Sequence, residues 1–195
     1  EKILRGIGPL GAYDQPLVES LGLPLLEGFI SPSDLPRFDN SAMDGYAIRV
    51  ADVRDGEPLP VVGTIAAGHP ATEPLPPRAT MRIMTGAPMP AGADAVVMRE
   101  DADEQQGQVV FRKLPRLSQH VRHAGEDVRV GSSVLSAGSI LGPGELGLLA
   151  ALGRLIVPVH RRPQVAIVST GDELVTADEP PQHGQIVNSN AHCLL

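Results

Sequence analysis

The chain has no tryptophan, one cysteine and only 3% aromatic residues among its 195. A single thiol, Cys193, excludes an intrachain disulfide framework and any metal site built from several thiolates. It suits a reducing compartment, and a cytoplasmic location is expected. No apolar run approaches the ~18 residues of a membrane span, and no signal peptide is visible, so no membrane partner is expected. Long basic runs are missing too. The net charge is −7, which leaves nucleic acid without an electrostatic footprint. With so little aromatic bulk, the core must come from Val, Leu, Ile and Ala.

What the chain does have is 42% hydrophobic residues, 21 glycines and 19 prolines. That composition permits a packed core cut into many short elements, which favours β structure with frequent turns. Residues 1–8 (EKILRGIG) read as the end of a helix with Ile3, Leu4 and Ile7 on one face, stopped at Gly8-Pro9. Residues 16–29 are apolar and read as partly helical, with Gly22 and Pro24 interrupting. From Tyr46 the period becomes two: Tyr46, Ile48 and Val50 alternate. Strands follow at 60–66, 80–84, 95–99 and 108–113, predicting a small antiparallel β domain or barrel over about 43–115.

Ser133–Leu135 and Ile140-Leu141, with a turn at Ala137-Gly138, predict a hairpin. Pro143 then suits a first helical turn, Glu145 sits near its positive end, and Gly153 is a natural stop. Leu146, Leu148, Leu149 and Leu152 supply the apolar face, and 155–159 reads as one more strand. Val165–Val168 is an unbroken apolar run, as in a parallel strand buried on both faces, with Ser169-Thr170-Gly171-Asp172-Glu173 at its carboxyl end. Too few residues follow to complete a βαβ unit of ~30 residues, so a fragment of a longer chain is expected. Residues 161–195 alone are then expected to lack fixed order or to pair with another chain.

Five stretches bear on chemistry, and each also has a plain reading. In FDNSAMDGYA (38–47), Asp44-Gly45 is a hairpin-turn signal, or Asp44 projects from a loop with small neighbours that admit a ligand. In MTGAP (84–88), Thr85 and Gly86 form an ordinary turn or a loop that aims N–H groups at an anion. In RHAGED (122–127), Arg122 and His123 meet phosphate while Glu126 and Asp127 hold a hard cation, or all four are solvated. STGDE (169–173) suits Mg²⁺ with phosphate, or simply caps a strand. His120 and His123 are three apart, but no third ligand has a clear position, so they read as surface histidines.

Taken in order, FDNSAMDGYA, IMTGAPMPAGADAVVM, HAGEDV with GPGELGLLAALG, and VAIVSTGDEL with GQIVNSN resemble the molybdopterin molybdenumtransferase family, which includes MoeA and the E domain of gephyrin. The resemblance implies a mixed α+β, multidomain fold. An elongated mixed first domain (1–42 with 116–160) would be interrupted by an inserted, barrel-like β domain (43–115). The start of an α/β three-layer molybdopterin-binding domain (161–195) would follow. It implies insertion of molybdenum from molybdate into adenylylated molybdopterin, with Mg²⁺-dependent release of AMP.

The same resemblance implies a homodimer and a molybdopterin adenylyltransferase as a partner. Carried across residue by residue, it makes Asp44, Thr85 and Asp127 catalytic, Asn40, Ser41 and Glu173 substrate-binding, and Asp172 with Glu173 ligands of Mg²⁺. The chain departs from the family pattern at LGLPLLEGF (21–29), where the first helix is expected to break. A non-catalytic scaffold or dimerisation module of the gephyrin type is the alternative role.

Overall fold

The computed structural model describes residues 4–6 and 8–194. Most of the residues placed in regular elements lie in strands, with few and short helices, so the fold is mixed but mainly β. The chain divides into two compact units, Asp14–Val159 and a second formed from the flanking stretches on either side.

In the larger unit the main sheet has six strands: β1 (Gly45–Ile48), β2 (Leu59–Ile65), β3 (Thr80–Ile83), β4 (Ala95–Met98), β5 (Ala102–Gln105) and β6 (Gln108–Phe111). Their spatial order is β4-β1-β3-β2-β6-β5. β1 pairs antiparallel with both neighbours, Gly45 standing opposite Ile83 on one side and Met98 on the other. The expectation of a wholly antiparallel domain is corrected at β2, which runs parallel to β3. The long crossover 66–79 between them permits this, because a parallel pair cannot be closed by a tight turn. β5 was missed in the sequence: ADEQ carries no apolar alternation and forms an edge strand held by β6.

β1 is buried along its whole length, not half-buried as alternation suggested. Tyr46 and Ile48 pack with Leu59, Val97, Val109 and Phe111 on one face. Ala47 packs with Ile65, Met81, Ile83 and Val96 on the other. β2 serves both cores because its pairing shifts by a residue between Val61 and Gly63. That bulge reverses the side-chain alternation, sending Leu59 to one face and Ile65 to the other. Val50 leaves the strand for a short 3₁₀ turn, Val50–Asp52.

Elsewhere in this unit, residues 16–29 are corrected from part-helix to extended chain after a single 3₁₀ turn, Leu17–Glu19. Gly22 takes a positive φ of 73°, and Pro24 cannot supply an N–H to a helix. The hairpin expected within 133–141 does not form. Ser133–Leu135 instead pairs antiparallel with Phe29–Ile30, and Pro24 bridges to Ile140. Helix α1 (Pro143–Ala151) matches its sequence signals. Glu145 accepts the Gly142 N–H at 2.9 Å, and Gly153 adopts a φ of 80° just past the end. Of its leucines, Leu149 and the following Leu152 are buried, while Leu146 and Leu148 are half-buried.

In the second unit the 3₁₀ turn Leu4–Gly6 falls within the expected helix end; Ile3 and Ile7 of that reading lie outside the described residues. The buried strand expected at Val165–Val168 is corrected: the segment is not a strand, and Val165 and Val168 are 78% and 81% exposed. The regular structure near it is a two-residue parallel pairing of Leu174–Val175 with Ile186–Val187 and a short helix, Ser189–Leu194. With no strand among the described residues to receive its N–H and C=O groups, the apolar run gains no ladder.

Candidate functional site

The ends of three neighbouring strands meet beside Asp44. Asp44 precedes β1, Met84 and Thr85 follow β3, and Arg99 follows β4. The Arg99 N–H donates to the Asp44 carbonyl at 3.1 Å, continuing the β1–β4 ladder by one residue. Asp44-Gly45 is therefore not a hairpin turn. Gly45 lies inside a strand, and its need for glycine is steric: a Cβ there would stand 2.0 Å from the Val97 carbonyl oxygen.

The approach to Asp44 is braced from behind. Ser41 is fully buried and its hydroxyl donates to the Met43 carbonyl at 2.6 Å. Asn40, also buried, donates through its side-chain amide to Phe38 O at 3.1 Å. Both residues, expected at the substrate, have side chains that fix the turn before Asp44.

Thr85 fastens the carboxylate itself. Its backbone N–H and its hydroxyl each donate to Asp44 Oδ1 at 2.7 Å. These bonds, the backbone one foremost, hold the Asp44 carboxyl below its ordinary pKa of 3.8, with a smaller push from the charge on Arg99. Asp44 is thus ionised at neutral pH, and Oδ2 carries no hydrogen bond from a described residue. The N–H groups of the MTGAP loop are already used: Thr85 on Asp44, Gly86 on Ser41 O at 2.8 Å and Ala87 on Met84 O at 3.0 Å. The loop clamps a carboxylate and has no N–H to spare for an anion.

In front of Asp44 opens a cleft of about 460 Å³, within the usual range for small-molecule sites. Arg82, Arg99, Tyr46 and Glu104 share its walls. None of these four was read from the sequence as a site residue. Arg82 makes a bidentate pair with Glu104, its Nε donating at 2.9 Å and Nη2 closing the fork. Tyr46 donates its hydroxyl to the same carboxylate at 2.7 Å. Arg82 chiefly, then Tyr46, lowers the Glu104 pKa; burial first, then Glu104, raises that of the Tyr46 phenol. Tyr46 joins this trio to the apolar cluster it shares with Ile48 and Val97, and all three members line the cleft. Arg82 is recognisable only once register places it opposite Tyr46.

Asp127 belongs to a different constellation. Asn40-Ser41 pairs with Val121-Arg122, and the RHAGED loop folds over Leu35-Pro36, with Gly125 N–H on Pro36 O at 2.9 Å. Arg122 donates to Asp127 at 2.6 Å and to Glu126 at 2.5 Å. Asp39 accepts the Ala124 N–H at 2.8 Å and faces His123 Nδ1 at 3.2 Å, contacts that lower its pKa, the backbone bond foremost. Arg122 and His123 thus both engage neighbouring carboxylates. Asp127 borders a separate shallow depression with Ser132 and Leu148, not the Asp44 cleft.

In the second unit Asp172 and Glu173 are exposed. Beside them Ser169, Thr170, Asn188 and Ser189 line a polar hollow of about 210 Å³. Asn188 Oδ1 there accepts the Ala191 N–H at 3.2 Å. Among the described residues no three His, Cys, Asp or Glu side chains converge to hold a metal ion.

Comparison with known proteins decides the family. Residues 1–153 match the family model described as the MoeA N-terminal region (domain I and II). The chain belongs to the MoeA family. The molybdopterin molybdenumtransferase of Haemophilus influenzae is 46% identical over 165 residues, covering 84% of this chain and 41% of that protein. Molybdopterin molybdenumtransferase 2 of Mycobacterium tuberculosis is 44% identical over 181 residues, 90% of this chain and 45% of its own. Among solved structures, a molybdopterin biosynthesis MoeA protein from Pyrococcus horikoshii superposes with a TM-score of 0.84 at 35% identity, over 94% of this chain and 50% of that one. The chain thus spans less than half the length of these curated relatives. Membership ties it to molybdenum cofactor biosynthesis. Among the described residues no helix is long and apolar enough to cross a membrane.

Proposed function

We propose that the chain is part of a molybdenum insertase that transfers molybdenum from molybdate into the dithiolene of adenylylated molybdopterin, releasing AMP. The observation that supports this is the Asp44–Thr85 clamp at the mouth of the cleft. It fixes one carboxylate oxygen and leaves the other free to face a ligand. When sulfur replaces oxygen on molybdate, two thiol protons and one oxide must leave together as water. A carboxylate held ionised can take a thiol proton and return it to the departing oxygen. Thr85 keeps that carboxylate aimed. Asp127, gripped by Arg122, is the second acidic group of the proposed chemistry, and Asn40 and Ser41 position the first.

Cleavage of an adenylate needs its phosphate charge offset, which Mg²⁺ supplies when bound. Asp172 and Glu173 fit such an ion only as part of its shell, two hard oxygen donors to be completed by phosphate and water. Glu173 would also reach the substrate. A homodimer, an adenylyltransferase partner delivering the adenylylated substrate, a cytoplasmic setting, and the division into 1–42 with 116–160, an inserted barrel-like 43–115, and the opening of a three-layer domain at 161–195 belong to the same proposal.

The test supplies adenylylated molybdopterin, molybdate and Mg²⁺ to the chain, alone and extended to the length of its relatives, and measures AMP. AMP should appear only when molybdate is present, and Asp44→Asn should slow it by roughly a hundredfold, as for loss of a general acid–base group. A folded, full-length protein that releases no AMP would replace the insertase reading with the scaffold one.

A further inference from the structure

The cleft holds two guanidinium groups with different fates. Arg82 is committed to Glu104 through both ends of its fork. The Arg99 side chain makes no hydrogen bond or ion pair with any described residue, although its backbone is pinned to Asp44. It lies on the cleft wall, exposed, across the strand pair from the carboxylate that Thr85 clamps. Two acidic side chains, Asp44 and Glu104, stand near enough to feel its charge, yet neither binds it. Glu104 is occupied by Arg82 and Tyr46, and Asp44 Oδ1 by Thr85. A guanidinium is a planar fork of five donors suited to two oxygens of one tetrahedral or carboxylate anion. Held at the start of the 3₁₀ turn Arg99–Asp101 beside a neutralised pair, this one lines the cavity.

We infer that Arg99 is the anion-recognition residue of the Asp44 cleft and takes two oxygens of a tetrahedral oxyanion. The inference rests on the insertase reading for its setting. Two oxyanions share the chemistry, free molybdate and the phosphate of an adenylate. Arg99 acts on binding, so it should govern affinity more than turnover.

The test is equilibrium dialysis of the 195-residue chain with labelled molybdate in one arm and labelled AMP in the other, for wild type, Arg99→Gln and Arg99→Lys. Arg99→Gln should weaken one of the two anions by about tenfold or more, the worth of a charge-assisted hydrogen bond. The weakened arm names the source. Arg99→Lys should recover part of the loss, since charge returns without the fork. Chemical-shift mapping should find the other probes of the cleft wall, Met84 and Ala102, perturbed by the same anion. Unchanged affinity for both anions in Arg99→Gln overturns the inference, and so does a wild-type chain that binds neither. If an anion binds through Arg99 while the full-length protein releases no AMP, the site stands and the insertase reading falls.

Discussion

Replacing Gly45 by alanine tests the strand framework that creates the cleft. A Cβ at this position would lie 2.0 Å from Val97 O, 2.9 Å from Val97 C and 3.0 Å from Met98 Cα. All three are backbone atoms, so no rotamer change relieves the clash. Ordinary contact begins at 3.4 Å, so β4 must retreat from β1 by about 1.4 Å against a normal strand spacing of roughly 4.8 Å. At that separation the N–H···O bonds opposite Gly45 no longer meet hydrogen-bond geometry. Two lost ladder bonds, at about 1 kcal/mol each, plus overpacking strain of about 1–3 kcal/mol, give a destabilisation of about 3 kcal/mol or more. β1 is buried on both faces, so the strand has no solvent side toward which to relax.

The assay is thermal unfolding of Gly45→Ala beside Gly63→Ala, which lies two strands away in the same sheet. Gly63 is the matched control: its Cβ would meet only the flexible Met81 Cγ at 3.8 Å, with φ outside the left-handed region. Gly63→Ala should change stability by less than about 1 kcal/mol, and an entropic gain in the unfolded chain can make it favourable. Gly45→Ala should lower the thermal midpoint by roughly 6–12 °C for a chain of this size. A Gly45→Ala midpoint equal to wild type, or an equal loss in Gly63→Ala, refutes the close-approach reasoning.

Three further outcomes follow from the hydrogen bonds of the site. Thr85→Val removes the hydroxyl but keeps the N–H, the larger cause, so NMR titration should find the Asp44 pKa raised yet still below 3.8. A depressed carboxyl pKa contributes stability above the unfolded value and loses it as pH falls through the folded one, so this variant's acid loss of stability below about pH 4 should be shallower than wild type's. Glu104→Gln should lower the Tyr46 pKa in an ultraviolet titration but leave it above 10.0, because burial is the leading cause of its rise. Asp39→Ala should speed amide exchange at Ala124 by about tenfold, an effect that fades as pH falls through the depressed pKa of Asp39 and the wild-type carboxylate is itself protonated.

Helix α1 was legible because its signals are local: Pro143 and Glu145 at one end and Gly153 at the other act within a turn of themselves. Four of the six strands of the main sheet were legible as apolar segments for the same reason, and a fifth by its alternation. The failures involve partners distant in sequence. Ser133–Leu135 pairs back across more than a hundred residues to Phe29–Ile30, where a hairpin would have paired it with its immediate successor. Val165–Val168 has the composition of a buried strand but pairs with no strand among the described residues. Apolar composition sets what a segment can bury, whereas strand formation depends on backbone partners that composition does not encode.

The site divides along the same line. Asp44 and Thr85 stand in short runs of small residues that mark close backbone approach, and the structure joins them directly. Asp127, marked by an equally suggestive run, is drawn instead into a lattice with Arg122. Arg82, Arg99 and Glu104 sit in ordinary strand and turn sequence, and nothing near them in the chain signals a cavity. Register brings them there: Gly45 stands opposite Met98, so Arg99, one residue on, comes opposite Asp44, while Arg82 stands opposite Tyr46 and binds Glu104. Because strand side chains alternate, one residue of slippage in the β1–β4 pairing would turn Arg99 away from the cleft. A residue with a Cβ slid into the place of Gly45 would stand 2.0 Å from Val97 O, so the glycine that first reads as a turn favours the register that sets the wall.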